Sequence, residues 1–254
     1  MISNLSHSSI SVFAECPQRW YQEYILKNKA PQSEAANFGS AFDVLVALKL
    51  GIQPKTRENK AMLPAEIAAL RAVEGVEAAV AFYFAQPDAW QTADDAQVKL
   101  EITPNQWATM AEMLGVSSQI HVPIIGYLDL IRKVGVQTQI VDLKTSTRTQ
   151  FMPRWAGQLG LYALAKEASL MEIHLLVRLS KGLNFATYPY FPSQNTLRWV
   201  MEYYGFYADL IRQVEQRGTG DGLARSPDYY CEWCPLAFEC EGSLIRAIKK
   251  RSNT

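Results

Sequence analysis

The sequence predicts an α/β fold, in which a mixed central sheet is flanked by helices and preceded by a helical N-terminal elaboration. Strand-like alternation occupies the middle of the chain and is interrupted by helical runs, which is typical of helices packed on a sheet. Helical periodicity dominates the first third and returns after the last strand run, before a cysteine-rich tail. Of the 254 residues, 48% are apolar, so the chain can bury a sizeable core.

The first third of the chain is predicted to be helical. Ser8 to Leu26 has apolar residues at mostly helical spacing, interrupted at Cys16-Pro17, and predicts two short helices or one bent helix. Gly39 to Leu50 is apolar on most faces and predicts a buried helix. Pro64 to Phe84 is rich in alanine and predicts a long helical stretch with a break near Gly75.

Three strands and one helix are predicted next. Val98 to Ile102 alternates, and Val122 to Val134 and Thr138 to Leu143 predict a hairpin with Gly135 between its strands. Pro104 to Leu114 predicts a short helix with proline in its first turn.

The second half of the sheet is predicted to follow a helix. Trp155 to Ala168 repeats apolar residues at helical intervals, and Met171 to Leu179 and Phe185 to Phe191 return to strand texture. Gln194 to Gln216 predicts a long amphipathic helix.

The chain is expected to form one domain, residues 1–254, with the helical elaboration at about 52–97, because no repeat, low-complexity tract or linker is evident. No run approaches the roughly 20 apolar residues of a membrane helix. The first residues show neither the basic nor the apolar region of an export signal. We therefore expect a cytoplasmic protein with no membrane partner.

The charge balance restricts how the chain could bind nucleic acid. It carries 25 basic and 25 acidic residues, so any binding to DNA must rely on local clusters. The candidate basic clusters are Arg132-Lys133 and the terminal run of Arg246, Lys249, Lys250 and Arg251. Cations at the end of a final helix also complement its dipole, which is the alternative for the terminal run.

All four cysteines fall into one arrangement: Cys231, Cys234 and Cys240 follow a C-x2-C-x5-C spacing, and Cys16 lies near the other terminus. A C-x2-C pair can place two thiolates on one metal centre. Zinc modules usually use two close pairs, so the spacing favours an iron–sulfur cluster slightly. A disulfide conflicts with a cytoplasmic setting, and chance core packing does not explain three cysteines so close together.

Charged residues interrupt the two strands of the predicted hairpin. Asp129 lies within an apolar strand, and Asp142 and Lys144 lie within the next. Alternation places Asp142 and Lys144 on one face, and strand pairing can bring Asp129 beside them. Two carboxylates and an ammonium form a hard oxygen site for Mg²⁺ or Mn²⁺, suited to phosphodiester hydrolysis. The alternative is an edge-strand salt bridge between Asp142 and Lys144.

Other common chemistries lack their motifs in this sequence. It contains no phosphate-binding G-x-x-x-x-G-K-[ST] loop and no G-x-S-x-G nucleophile elbow. The three histidines, His7, His121 and His174, share no metal-binding spacing. A metal-dependent phosphodiesterase is therefore favoured over a nucleotide hydrolase, a serine hydrolase or a histidine-ligated metalloenzyme.

Taken in order, these segments resemble the RecB-like nucleases of the PD-(D/E)XK superfamily. The branch with a cysteine-bound cluster, which includes AddB-type nuclease domains and CRISPR-associated RecB-like exonucleases, is the most similar. The resemblance spans most of the chain, and the order and joint presence of its pieces make it specific. Its pieces are Ser9-Ile10-Ser11 with Cys16 to Tyr21, Gly126 to Asp129, Val141 to Ser146, Gln158 to Tyr162, and Cys231 to Cys240.

The resemblance implies a restriction-endonuclease-like core with a 4Fe-4S cluster, held by segments 9–21 and 231–240. Its four ligands would be Cys16, Cys231, Cys234 and Cys240. It also implies that Asp129 and Asp142 bind Mg²⁺ or Mn²⁺ together with the carbonyl of Leu143, and that Lys144 is the catalytic lysine.

The resemblance assigns two further positions. Gln158 and Tyr162, one helical turn apart, would contact the nucleotide or order the site; the alternative is a solvated glutamine and a half-buried tyrosine. The family often carries G-x3-H on an early helix, where this chain has Gly39 and Asp43. Asp43 could still bind metal and would shift preference toward Mg²⁺, whereas a surface Asp43 would leave the site one ligand short. Glu101 is a weaker acidic candidate.

The implied function is a Mg²⁺- or Mn²⁺-dependent deoxyribonuclease, an exonuclease acting on single-stranded DNA ends. Recombination, repair, phage replication and CRISPR spacer acquisition are the expected settings, with a helicase or an integrase as candidate partner protein. Two alternatives belong to other classes: a non-cleaving DNA-binding or partner-binding module, and a structural metalloprotein whose carboxylates are salt-bridged.

Overall fold

The computed structural model describes most of the chain. The described residues are 2–29, 31–56, 60–149, 153–166, 168, 170–220, 223, 231, 234, 236–237 and 240. They belong to two compact units: the first contains Met1–Pro31, Ile102–Ile125 and Met201–Thr254, and the second contains Gln32–Glu101 and Gly126–Val200.

The first unit begins with helices α1 (His7–Glu15) and α2 (Pro17–Trp20) and a π-helical turn, Tyr21–Ile25. Cys16 separates the two helices because its backbone is extended (φ −158°), and Pro17 then opens α2. The expectation of two short helices broken at Cys16-Pro17 is confirmed.

The second unit carries the helices that flank the sheet: α3 (Glu34–Lys49), α4 (Pro64–Arg71), α5 (Val76–Phe84) and α7 (Pro153–Lys166). Helix α3 begins five residues before the predicted start at Gly39, because Ser33 caps it by accepting from the Ala36 amide. The break predicted near Gly75 is present, where a left-handed glycine (φ 75°) precedes α5.

Helix α6 (Pro104–Leu114) belongs to the first unit and has the predicted bounds. The Thr103 side chain accepts from the Gln106 amide in a capping box, and Gly115 ends the helix at φ 66°. The last helix, α8 (Gln194–Arg217), has residues in both units. None of the described helices has the length and apolar character needed to cross a membrane.

Five strands form one sheet in chain order: β1 (Asp95–Ile102), β2 (Ile124–Val134), β3 (Gln137–Ser146), β4 (Leu170–Leu179) and β5 (Gly182–Tyr190). The β2–β3 and β4–β5 pairs are antiparallel, and the β3–β4 pair is parallel. Helix α7 supplies the crossover that a parallel pair requires. The predicted mixed sheet flanked by helices is therefore confirmed.

Both faces of the central strand β3 are covered. Val141 and Leu143 pack with residues of α3 and α5 on one face, and Ile140 packs with residues of α7 on the other. By alternation, Asp142 and Lys144 belong to the α7 face. The predicted charged residues therefore lie within a sheet that is buried on both sides.

Candidate active site

The ladder between β2 and β3 ends beside the predicted carboxylates. Its antiparallel register runs from Val134–Gln137 to Leu130–Val141, so one further step would place Asp129 opposite Asp142. The Asp129 side chain instead accepts a hydrogen bond from the Leu143 backbone amide at 2.8 Å. A carboxylate thus serves as the acceptor where the ladder stops.

Asp142 is a buried carboxylate with one oxygen left without a hydrogen-bond partner in the described part of the chain. It is 1% exposed, and the Lys144 ammonium nitrogen lies 2.6 Å from its Oδ2. Lys144 is thus the partner of Oδ2, whereas Oδ1 is buried without a hydrogen-bond partner within the described part of the chain. A bound cation would satisfy that buried oxygen.

The ion pair between Asp142 and Lys144 is not the surface feature that the alternative interpretation assumed. The pair itself is present, but strand β3 is central in the sheet, with two strands on either side of it. The edge-strand placement is therefore wrong. An ion pair inside a covered sheet has to offset the cost of removing both charges from water, which an exposed pair does not.

Helix α3 covers the opposite face of β3, and the charge of its Asp43 acts on the same group. A Cβ on Gly39 would lie 3.1 Å from Thr145 Oγ1, so the helix backbone closely approaches β3 next to Lys144. Asp43 follows one turn later and is half-buried. Burial raises the pKa of Asp43 well above its usual value, and the Asp129 charge raises it further.

The electrostatics tie all four charged groups together. Burial raises the pKa of Asp129 to about 7, helped by the Asp142 charge and opposed by Lys144 and the Leu143 amide. Burial also raises the pKa of Asp142, against the lowering effect of Lys144. Burial alone would lower the pKa of Lys144, but the Asp142, Asp129 and Asp43 charges outweigh it.

Three carboxylates around one ammonium leave a surplus of negative charge in a poorly hydrated place. Carboxylate oxygens of this kind are the ligands that Mg²⁺ and Mn²⁺ prefer, so the donor set fits a hard divalent cation. Among the described residues, however, no three His, Cys, Asp or Glu side chains already surround a single metal position. In the structure, Lys144 is the direct counter-charge of Asp142.

Gln158 and Tyr162 of helix α7 form hydrogen bonds that connect this helix to strand β2. The Gln158 amide donates to the Tyr162 hydroxyl at 2.5 Å, and that hydroxyl donates to the Tyr127 carbonyl at 3.0 Å. Tyr162 is 2% exposed, so it is more buried than the half-buried tyrosine of the alternative. The two side chains therefore act as a pair that fixes the backbone of β2 close to Asp129.

Gly126 is a site residue that the motif alone does not explain. A Cβ at this position would lie 3.0 Å from the Tyr162 ring, so the ring and the backbone of β2 can approach only because position 126 has no side chain. Gly126 lies three residues before Asp129 in the sequence. Its contact with a helix more than thirty residues later gives no local signal.

The cysteines lie in the first unit, and all four are half-buried and outside any disulfide. Backbone hydrogen bonds join Cys234 N to the Cys231 carbonyl at 3.3 Å and Cys240 N to the Leu236 carbonyl at 3.0 Å. One of these turns therefore joins Cys231 to Cys234, and the other leads from Leu236 to Cys240.

Cys16 is close enough to the tail to affect its electrostatics. Burial raises the pKa of the Cys234 thiol, the Leu236 amide and Arg19 oppose this, and the Cys16 and Cys240 charges raise it further. Cys16 and Cys240 therefore both act on Cys234, although no three of the described cysteines already form a metal site.

Some candidates from the sequence do not join the site. Glu101 is exposed and pairs with Lys99 at 2.9 Å. Arg132 lies over the Trp90 ring, 3.9 Å from its centroid. The terminal basic run, residues 246–251, lies outside the described residues.

Comparison with known proteins gives one family. Residues 4–241 match the family model described as the PD-(D/E)XK nuclease superfamily. A comparison with curated proteins finds no match. The crystal structure of SSO0001 is similar at 14% sequence identity and a TM-score of 0.46, covering 96% of this chain and 88% of that chain. At that identity and TM-score, the likeness says nothing about what this chain does.

Proposed function

Because the chain belongs to the PD-(D/E)XK nuclease superfamily, we propose that it is a Mg²⁺- or Mn²⁺-dependent deoxyribonuclease that degrades single-stranded DNA from an end. The observation that carries the proposal is Asp142, a 1% exposed carboxylate whose Oδ1 has no hydrogen-bond partner in the described part of the chain. Lys144 lies 2.6 Å away, and Asp129 and Asp43 complete the acidic group.

In this proposal, Asp43, Asp129, Asp142 and the carbonyl of Leu143 hold the divalent cation. When bound, such an ion polarises a phosphoryl oxygen and lowers the pKa of a coordinated water. Lys144 stabilises the negative charge that develops on the phosphoryl group, or orients the attacking water. The Tyr162 hydroxyl holds the Tyr127 carbonyl at 3.0 Å and so keeps β2 in place beside Asp129.

We also propose the RecB-like branch, with a 4Fe-4S cluster on Cys16, Cys231, Cys234 and Cys240. The support is the order of the sequence motifs and the effect of Cys16 and Cys240 on the Cys234 thiol. Four cysteines outside any disulfide match the ligand number of such a cluster. Recombination, repair, phage replication or spacer acquisition would be its setting, with a helicase or an integrase as partner.

The test is a cleavage assay with anaerobically purified protein on end-labelled single-stranded and double-stranded DNA. Linear single strands should be shortened with Mg²⁺ or Mn²⁺ and remain intact with chelator, and circular single strands should resist. Asp142→Ala is the inactive control, because it removes a metal ligand. Binding of DNA without cleavage under any divalent metal would overturn the nuclease proposal and leave a binding module.

A further inference from the structure

A second cation lies at the same edge of the sheet as Lys144. In the parallel β3–β4 pair, Lys144 is opposite Leu175 and Ser146 is opposite Val177, so the two strands run to the same edge. Arg178 is the next residue of β4. At about 3.3 Å per residue and about 4.8 Å between strands, the Cα atoms of Lys144 and Arg178 are roughly 11 Å apart. Arg178 lies on the face of the sheet that α3 covers.

Helix α3 links Arg178 to the acidic group. The guanidinium carbon lies 3.9 Å from the centroid of the Phe38 ring, and Phe38 is in α3, five residues before Asp43. Five residues correspond to about 7.5 Å along a helix. A guanidinium held against a ring loses less freedom when it binds an anionic group.

Arg178 has no acidic counter-charge among the described residues, and its Nε is buried there without an acceptor. Other enclosed cations do have one: Arg19 pairs with Glu23 at 2.6 Å, and Lys144 pairs with Asp142 at 2.6 Å. A buried donor without an acceptor indicates that a group absent from the structure supplies one.

We propose that Arg178 binds a phosphate of the substrate strand, near the phosphodiester that is cut. The proposal rests on the proposed nuclease function. A guanidinium can donate two parallel hydrogen bonds to a phosphate. Exposed Arg148 and Lys181 follow β3 and β4 at the same edge and add positive charge there.

Arg178→Gln and Arg132→Gln form a matched pair of variants. Each arginine lies 3.9 Å over an aromatic ring, but Arg132 lies near the β2–β3 hairpin and already bonds Gln139 at 2.7 Å. Binding is measured on a short single-stranded oligonucleotide with chelator present, so that no cleavage occurs. Arg178→Gln should weaken binding about tenfold and reduce the salt slope by about 0.7. Arg132→Gln should stay within about twofold of wild type.

A neutral methylphosphonate moved along the oligonucleotide then locates the contact. At one position the neutral linkage should weaken binding by wild type and leave binding by Arg178→Gln unchanged. At the other contacted positions it should weaken binding by both proteins. Identical profiles for the two proteins, or wild-type affinity in Arg178→Gln, would overturn the proposal. Absence of binding by wild type would overturn it too.

Different outcomes would refute the proposed nuclease function and the proposed Arg178 phosphate contact. A wild-type protein that shows the Arg178-dependent linkage but never cuts DNA refutes the nuclease and keeps the phosphate contact. A protein that cuts while Arg178→Gln keeps the wild-type profile refutes the contact alone.

If Arg178→Gln melts at a much lower temperature, Arg178→Lys replaces it. The lysine variant should keep the salt slope and lose part of the affinity, because lysine lacks the planar fork.

Discussion

Replacing Asp142 by Asn should remove the stabilisation of the protein by Mg²⁺ without unfolding it. Asparagine has nearly the same volume and no charge, so it fits a side-chain site that is 1% exposed. Lys144 keeps Asp129 and Asp43 as counter-charges. The variant loses one charge of the closest ion pair in the group, so we expect it to melt below metal-free wild type and still to fold.

The size of the metal effect follows from linkage. A cation at about 100 times its dissociation constant adds about 2.7 kcal/mol to the free energy of unfolding. For a chain of this size, 1 kcal/mol corresponds to about 2–4 °C in melting temperature. Wild type should therefore melt about 5–11 °C higher with saturating Mg²⁺, and Asp142→Asn should gain less than about 2 °C.

The measurement is thermal unfolding in chelator and across a Mg²⁺ titration. Asp209→Asn is the matched control, because Asp209 is 43% exposed and pairs with Arg212 at 2.8 Å on the surface of α8. It should keep the full metal shift and change stability by less than about 1 kcal/mol. If Mg²⁺ raised the melting temperature of Asp142→Asn as much as that of wild type, or did not raise that of wild type, Asp142 would be refuted as a metal ligand.

Three further outcomes are expected. Lys144→Ala should slow cleavage on the order of a hundredfold while DNA binding weakens only modestly; cleavage at the wild-type rate would remove Lys144 from the chemistry. Asp43→Asn should raise the metal concentration needed for half-maximal cleavage with an unchanged circular dichroism spectrum, and an unaltered titration would exclude it as a ligand. Cys16→Ser should lower both iron content and melting temperature, and colourless, zinc-loaded wild type would contradict an iron–sulfur cluster.

Local signals make several elements predictable. Helix α6 has the predicted bounds because Thr103, Pro104 and Gly115 mark its ends within a few residues. The predicted start of α3 is too late although Ser33 carries a capping signal, since the apolar pattern that places the helix begins after its first turn. Helix ends can thus be read when capping residues are weighed together with periodicity.

The site is predictable only in part. Alternation along β3 places Asp142 and Lys144 on one face, and the hairpin brings Asp129 near them. The end of the ladder at Leu130–Val141 and the Asp129 bond to the Leu143 amide depend on how the strands separate. The central position of β3 depends on its pairing with β4, which is distant in sequence, so no local pattern could supply it.

The acidic group must be held in place by packing, because its own charges oppose folding without a cation. Burial raises the pKa of both Asp43 and Asp129, which means that their ionised forms are less stable in the folded chain than in water. Two close backbone contacts can supply the opposing constraint: α3 meets β3 at Gly39, and the Tyr162 ring meets β2 at Gly126. Both glycines lie within four residues of a site carboxylate, so a side chain at either position would press on the Thr145 hydroxyl or the Tyr162 ring close to the site.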